Sequence, residues 1–200
     1  MKFKAKNQLK GHWGLAIATV FISNLIINAT NMSYRLELAI PVSKNLSFTL
    51  NLISLIWGGV ISVGLSKFLL NFTTNKEEPK FKDLFSYFKI FFKYLGLYIL
   101  ITLAIILSLI LLILPGVIVA LMYSQAFYIL AEDPDKGILE CLNESSNLMY
   151  GYKWDLLELK FSFIGWWLLA ILTMGIAGLW VAPYQKVTET NFYLKLKHTI

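Results

Sequence analysis

Charged residues are scarce in this chain. They make up 15% of its 200 residues, whereas hydrophobic residues make up 57%. A soluble domain typically has about 25% charged residues, so this chain has too few to cover a water-exposed fold. We therefore expect a single integral-membrane domain over residues 1–200.

Cysteine and histidine are nearly absent. Cys141 is the single cysteine, which excludes an intramolecular disulfide and a multi-cysteine metal site. The sequence also lacks H-E-x-x-H, G-x-S-x-G and Gly-rich phosphate-binding motifs. Interfacial carboxylates such as Asp133 and Asp155 leave open a metal-assisted lipid hydrolase, although acidic residues flanking helices are usually caps. We predict no catalytic residues, no metal site, no cofactor and no enzymatic activity.

Long apolar runs, in contrast, are abundant. A spanning helix needs about 20 mostly apolar residues, and continuous helices satisfy their own backbone hydrogen bonds in lipid. We predict an all-α, polytopic transmembrane bundle of about six spans in three hairpins, over 12–32, 48–72, 94–114, 117–131, 156–174 and 176–194. Pro115 and Gly116 predict the turn between the third and fourth spans. Gly58, Gly59 and Gly64 in the second span permit close helix approach, and Pro183 predicts a kink in the sixth span.

Lysine placement predicts the orientation of the spans. The net charge of +6 comes mainly from lysines beside apolar segments, so we attribute it to membrane flanks and not to nucleic-acid binding. Lysines concentrate at 2–10, 76–93 and 195–197, which share one side of a six-span topology, whereas the opposite loop holds only Arg35 and Lys44. By the positive-inside rule, we predict that both termini lie in the cytoplasm.

Two segments are predicted to lie at the interface instead of crossing it. Residues 79–93 place aromatics on one helical face and lysines on the other, which is typical of a helix lying on anionic lipid. The candidate lipid or partner surface comprises Lys80, Lys82, Phe85, Phe88, Lys89, Phe92 and Lys93. The alternative is an anchor that only sets the depth of the next span.

The second interfacial helix is predicted over 134–149. Asp133 and Pro134 are favourable start signals, with Ile138, Leu142 and Met149 facing the membrane and acidic residues facing water. This segment is acidic and 79–93 is basic, so they pair if they meet. Two solvated surfaces that never touch are equally compatible with the sequence.

Polar side chains inside predicted spans are candidates for function. They are Asn24, Asn28, Lys67, Ser124, Gln125 and Lys186. No Asp or Glu lies centrally in the first five spans, which argues against a proton-coupled pump. The alternative is that the amides and hydroxyls hold helices together.

Several short motifs resemble a known family. They include Pro115-Gly116, Asp133-Pro134, Gly151-Tyr152-Lys153, Gly165-Trp166 and Pro183-Tyr184. With Gly11-His12-Trp13 near the start, the chain resembles the bacterial integral-membrane family catalogued as domain of unknown function 975, found mainly in Gram-positive bacteria. Ala177 departs from the expected Gly175-Ile-Gly pattern.

The resemblance implies a multi-span plasma-membrane protein and adds no activity. The family-motif residues are Asp133, Pro134, Gly165, Trp166, Gly175, Pro183 and Tyr184, and packing, interfacial anchoring and capping account for them without a ligand.

Two functions are consistent with these features. The leading hypothesis is a non-enzymatic protein that supports envelope integrity or resists membrane-active peptides, through anionic lipids or a protein or peptide partner. The alternative is a small transporter or lipid-handling protein with a path lined by Asn24, Asn28, Ser124 and Gln125. A solvent-accessible cavity between the spans favours the alternative, whereas a tightly packed bundle favours the leading hypothesis.

Overall fold

The computed structural model describes residues 1–27, 49, 61–74, 79–85, 91–111 and 113–199. Within these residues the chain is helical and contains no strand, which confirms the predicted all-α class. The α-helices are α1 (Lys2–Leu9), α2 (Trp13–Ile27), α3 (61–74), α4 (Phe91–Leu111), α5 (Ile113–Met122), α6 (Ala126–Glu132), α7 (Ile138–Leu148), α8 (Lys153–Phe161), α9 (Ile164–Leu172) and α10 (Gly178–Thr199). A 3₁₀-helix covers Phe81–Phe85.

The first two helices meet at a sharp bend. Their axes differ by 106°, and Gly11, between them, has a φ of +84°, a conformation that glycine adopts without a steric penalty. α1 carries several lysines but buries Ala5 and Leu9, whereas α2 is apolar along most of its length. The basic helix α1 therefore runs nearly perpendicular to the apolar helix α2.

α4 and α5 form an antiparallel hairpin. The rings of Tyr94 in α4 and Phe127 in α6 stack with centroids 5.4 Å apart, so the chain after α4 returns along it. The predicted turn at Pro115-Gly116 is wrong, because both residues lie inside α5. Proline is tolerated in the first turn of a helix, where its missing N–H has no intrahelical acceptor, and Pro115 occupies that position.

Two stretches of the described residues are long and apolar enough to cross a membrane. They are Phe91–Ser108 and Pro115–Glu132, and α1 with α2 makes a third if that bent pair counts as one span. The six predicted spans are thus not all reproduced. In the second predicted span, residues 48 and 50–60 lie outside the described residues. Residues 61–74 are helical.

The predicted fifth span is interrupted. Residues 156–174 divide into α8 and α9, with a turn at Ser162 and Phe163. α9 has nine residues, or about 13 Å of helix at 1.5 Å per residue, against a hydrocarbon core of about 30 Å. The predicted sixth span is one continuous helix, α10, with Pro183 inside it, but it is not among the stretches apolar enough to span.

Both predicted interfacial helices differ in the structure. Phe81–Phe85 forms a 3₁₀-helix because Asp83 accepts hydrogen bonds from the Lys80 N–H and the Asn71 side chain; residues 86–90 lie outside the described residues. Asp133 and Pro134 do not start a helix. The Asp133 N–H still donates to Ile129 at the end of α6, and α7 begins at Ile138.

α10 connects two hydrophobic clusters. Val187 packs with α1, α2 and α3 in one cluster, while Phe192 and Tyr193 pack with α4, α6 and α7 in the other. The same helix also buries polar residues, namely Thr188, Glu189, Thr190 and Asn191. Burying a polar group without a partner is costly. The buried polar residues of α10 are therefore candidates for a functional role.

Candidate functional site

A polar cavity lies between five helices. It has a volume of about 340 Å³ and is bounded by α2, α3, α6, α8 and α10. Its polar lining consists of Asn24, Ser62, Ser66, Ser124, Gln125, Tyr128, Lys160, Lys186 and Glu189. Apolar side chains, including Ile27, Leu65 and Phe127, complete the wall. This combination of an apolar wall and a few convergent polar groups is typical of small-molecule sites.

An ion cluster forms one side of the cavity. The ammonium of Lys160 donates to Glu189 Oε1 at 3.1 Å, and the Gln185 amide donates to the same oxygen at 2.9 Å. Lys186 Nζ lies 3.6 Å from Glu189 Oε2. The carboxylate side chain is 11% exposed and each lysine side chain is 42% exposed, so the lysines retain access to the cavity while their counter-ion is held inside.

The cluster extends outward through α9. The Trp167 indole N–H donates to Gln185 Oε1 at 2.7 Å, and that amide in turn holds Glu189. Gln185 and Glu189 are four residues apart, so they share one face of α10. The orientation of the carboxylate is therefore determined by α8, α9 and α10 together.

Gln125 forms the opposite side. It precedes α6, and its backbone N–H donates to the hydroxyl of Ser145 in α7 at 3.2 Å. That hydroxyl donates to the Met122 carbonyl at 2.8 Å. The residue is 3% exposed, and its Oε1 has no hydrogen-bond partner among the described residues. α7 thus holds a buried amide against the cavity with its acceptor unpaired.

Most of the predicted intramembrane polar residues meet here. Asn24, Ser124, Gln125 and Lys186 line the one cavity, whereas Lys67 does not, and Asn28 lies outside the described residues. Lys160 and Glu189 were missed as site residues. The signal for them was the presence of a lysine and a glutamate, of opposite charge, inside segments predicted to span.

The candidate lipid or partner surface is only partly assembled. Lys80 and Lys82 are exposed, and Phe92 is 83% exposed, whereas Lys93 folds back onto the carbonyls of Pro134 and Asp135, at 3.0 and 2.8 Å. Phe88 and Lys89 lie outside the described residues, as does the side chain of Phe85. The basic and acidic segments therefore meet, through Lys93 and the backbone carbonyls of Pro134 and Asp135.

The acidic segment packs inward. Leu142 and Met149, expected to face the membrane, are buried, and Ile138 packs against the same core. Glu140 accepts a hydrogen bond from the Gly137 N–H at 2.8 Å, which caps α7. The hydrogen bond to Glu144 raises the pKa of Lys136, and burial raises the pKa of the Cys141 thiol.

An aromatic groove is lined by residues of α1, α2, α9 and α10. It has a volume of about 260 Å³ and is lined by Lys6, Trp13, Trp166, Leu169, Ala177, Trp180, Val181 and Tyr184. The family-motif residues Trp166 and Tyr184 meet there edge to face, with ring centroids 6.3 Å apart. Lys6 is exposed and makes no ion pair within the described part of the chain.

The glycines of the motifs have different surroundings. Gly175 has a φ of +92° and its N–H donates to Ala170 at 2.7 Å, so it ends α9 in a conformation that favours glycine. Nothing lies within 4 Å of where a Gly165 side chain would be. Among the described residues no group of three or more His, Cys, Asp or Glu is placed to hold a metal ion.

The lysine-rich segments at the two ends of the chain lie beside each other. Met1 and Lys4 share a surface pocket with Thr73, Thr74, Lys195 and His198. Asn191 in α10 donates to Gln8 in α1 at 2.6 Å, and Lys197 pairs with Glu132. The two ends of the chain are thus neighbours.

The comparisons agree with the resemblance drawn from the motifs. The family described as "Protein of unknown function (DUF975)" matches residues 1–117 and 102–199. No curated protein and no solved structure matches the chain. Together the two matched stretches cover nearly the whole sequence, and the chain therefore belongs to the DUF975 family.

Proposed function

We propose that this DUF975 protein is a non-enzymatic, multi-span plasma-membrane protein of bacteria that binds a small polar solute in its central cavity, as a small transporter does. The observation that carries the proposal is the cavity of about 340 Å³, lined by an ion cluster and by Gln125. Polar groups enclosed by apolar helices are usual at substrate sites in membranes.

The serine hydroxyls support binding over helix association. Ser66 donates to the Ser62 carbonyl at 2.9 Å, and Ser124 donates to the Leu121 carbonyl at 2.7 Å. Both bonds lie within one stretch of chain, so these donors do not join helices. The Ser124 hydroxyl in addition accepts from the side-chain amide of Gln125, its neighbour in sequence.

Thiol labelling tests the cavity directly. In a Cys141→Ser background, Ser124→Cys places a thiol on the cavity wall, whereas Ser23→Cys places one at a fully buried position of α2. We expect a membrane-impermeant thiol reagent to modify the first variant in native membranes and to leave the second unmodified. An unreactive Ser124→Cys protein would contradict the transport proposal.

We further propose that both termini lie in the cytoplasm. The proximity of Met1 and Lys4 to Lys195 and His198 supports a common side, and the lysine bias supports the cytoplasmic one. Cysteines at Ser43 and Lys76 should label from opposite sides of the membrane. Labelling from the same side would refute the six-span topology.

A second candidate is support of the envelope through lipid or partner binding, including resistance to membrane-active peptides. The aromatic groove favours it, because Lys6 provides a positive charge beside tryptophans that commonly lie at membrane interfaces. Exposed Lys80, Lys82 and Phe92 extend the candidate surface. A deletion strain with unchanged sensitivity to membrane-active peptides and envelope stress would exclude this role.

A further inference from the structure

Helices α9 and α10 form an antiparallel hairpin. Near its open end, the rings of Phe163 and Tyr184 meet edge to face with centroids 5.3 Å apart. Near its closed end, a β-carbon added to Gly178 would lie 3.7 Å from the β-carbon of Ala170. Residues 173–177 form the turn that joins the two helices. The two helices therefore run side by side, with the turn as the tip of the hairpin.

Charge is confined to the open end of this hairpin. Residues 161–185 contain no charged side chain. The two lysines that flank them, Lys160 and Lys186, lie 3.1 and 3.6 Å from the carboxylate of Glu189. Both ends of the uncharged run thus return to the same ion cluster, and everything beyond that cluster is uncharged.

Large apolar side chains are exposed at the tip. Leu172 and Met174 are 80% and 96% exposed, and Ile171 and Ile176 are exposed on either side of them. A contiguous group of exposed apolar side chains usually marks a surface that contacts a partner or a membrane. The tip therefore needs an apolar surrounding that the described part of this chain does not supply.

The backbone of the turn is suited to lipid. Each N–H group from residue 173 to residue 178 donates a hydrogen bond inside the hairpin. The Gly175 N–H donates to the Ala170 carbonyl at 2.7 Å, and the Ala177 N–H donates to the Thr173 hydroxyl at 3.0 Å. Hydrocarbon offers no hydrogen-bond acceptors, so backbone donors that enter it must be satisfied within the protein.

The hairpin is too short to cross a bilayer. A continuous helix from Lys160 to Met174 would be about 21 Å long at 1.5 Å per residue, and the turn at Ser162 and Phe163 shortens that reach. The hydrocarbon core is about 30 Å thick. A tip that starts from headgroup level at the ion cluster therefore ends inside the core.

The open end has the charges and aromatic rings expected at headgroup level. Lys6 lines the aromatic groove beside Trp166 and Tyr184, and lysines of this kind complement anionic lipid headgroups. Tryptophan and tyrosine are enriched at the same level. The ammonium of Lys2 donates to the Ser162 carbonyl at 2.7 Å, so the N-terminal helix also lies at the open end.

We propose that α9 and α10 form a re-entrant hairpin whose apolar tip, residues 171–176, contacts the acyl chains of one leaflet. That leaflet is the one whose headgroups contact the N-terminal helix. The hairpin takes the place of the last two predicted spans and leaves both termini on one side. This inference goes beyond the transport proposal, which concerns the cavity and does not depend on the depth that the tip reaches.

Three single-cysteine variants in the Cys141→Ser background test the depth of the tip. Met174→Cys lies at the tip, where the exposed side chain can be replaced without disturbing the packing. Ile99→Cys, in the middle of the spanning stretch Phe91–Ser108, is the lipid control. Lys10→Cys, at an exposed position beside the open end, is the water control. The full chain is reconstituted in vesicles of phosphatidylcholine and phosphatidylglycerol.

Two measurements give the depth. We expect a nitroxide at Met174→Cys to collide with oxygen as readily as one at Ile99→Cys, and to be shielded from a water-soluble nickel chelate. We also expect a membrane-impermeant maleimide, applied to both faces of opened vesicles, to label Lys10→Cys and to leave Met174→Cys unlabelled.

Three results would overturn the inference. Labelling of Met174→Cys from the face opposite to Lys10→Cys would mean that the hairpin crosses the membrane. Nickel accessibility at Met174 equal to that at Lys10 would place the tip in water. Dipolar broadening between Met174 nitroxides, absent for Ile99, would assign the tip to a second copy of the chain. The labelling of Ser124→Cys in the same vesicles reports separately on the transport proposal.

Discussion

The ammonium of Lys160 lies 3.1 Å from the carboxylate of Glu189, twenty-nine residues further along the chain. This contact joins α8 to α10 and closes one side of the polar cavity. Glu189 is the more enclosed partner, at 11% exposure against 42% for the lysine. The cost of losing the contact therefore depends on which partner is removed, because an enclosed charge without its counter-ion is more costly than an exposed one.

That asymmetry is measurable in a double-mutant cycle. We expect Glu189→Gln to lower the free energy of unfolding by about 1–3 kcal/mol, because two lysines then repel each other without a counter-ion. Lys160→Gln should cost less, about 0–1 kcal/mol, because its exposed side chain is screened by solvent. Unfolding in mixed micelles provides the free energies of unfolding of the wild type and the variants, with Lys10→Gln as the control variant. A coupling energy indistinguishable from zero would contradict the contact.

Gly64 provides a test of close packing. A β-carbon added there would overlap the backbone carbonyl of Leu84 in the 3₁₀-helix, and backbone atoms cannot move aside as the end of a flexible side chain does. We expect Gly64→Ala to destabilise the protein by about 1–3 kcal/mol. Gly165→Ala is the matched control, since nothing lies within 4 Å of its added carbon.

Gly165→Ala should itself be neutral or stabilising by up to about 1 kcal/mol, because alanine has the higher helix propensity. Thermal unfolding followed by circular dichroism distinguishes the two variants. Equal melting temperatures for Gly64→Ala and Gly165→Ala would rule out the close approach of α3 to the 3₁₀-helix.

Cys141 should be chemically inert in the folded protein. It is fully buried in α7, and burial raises the pKa of its thiol, so the reactive thiolate is scarce at neutral pH. We expect no modification by maleimide at pH 7 in the native state and complete modification in denaturant. Rapid labelling of the native protein would mean that α7 separates from the core.

The contact between Lys136 and Glu144 should contribute to the stability of the protein in a pH-dependent way. Its pKa is raised above the usual value of 10.5 by the hydrogen bond to Glu144. A raised pKa in the folded state means that the stabilisation is complete below pH 10.5 and is lost as the pH rises through the folded-state value. The stability difference between the wild type and Lys136→Gln should thus stay constant from pH 7 to 9 and shrink above about pH 10.5. The two stabilities, measured by chemical unfolding at each pH, check this, and a difference that grows with pH would contradict it.

Much of the helical content was predictable from local pattern, but the breaks were not. The run 94–114 is mostly apolar, and α4 covers most of it. The run 156–174 is also apolar in its second half, yet it divides at Ser162. There the Ser162 hydroxyl donates to Leu159 while Phe163 is buried against Tyr184. A hydropathy pattern carries no information about such a contact with α10.

The candidate site was likewise predictable only in part from the sequence. Asn24, Ser124, Gln125 and Lys186 were recognisable as polar residues among apolar ones, because local composition is sufficient for that. Their convergence on one cavity required the packing of α2, α6 and α10. Lys160 was missed because its partner, Glu189, is distant in sequence and the pair forms only across two helices.

The sequence by itself determined the scarcity of charge, the helical class and the family, because composition, periodicity and motifs are local properties. The tertiary structure alone decided that scattered polar residues line one cavity, that Gln125 Oε1 has no donor within the described residues, and that α10 buries Thr188, Thr190 and Asn191. Those features depend on distances between residues far apart in the chain. Burial then raises the energetic cost of any polar group that lacks a partner.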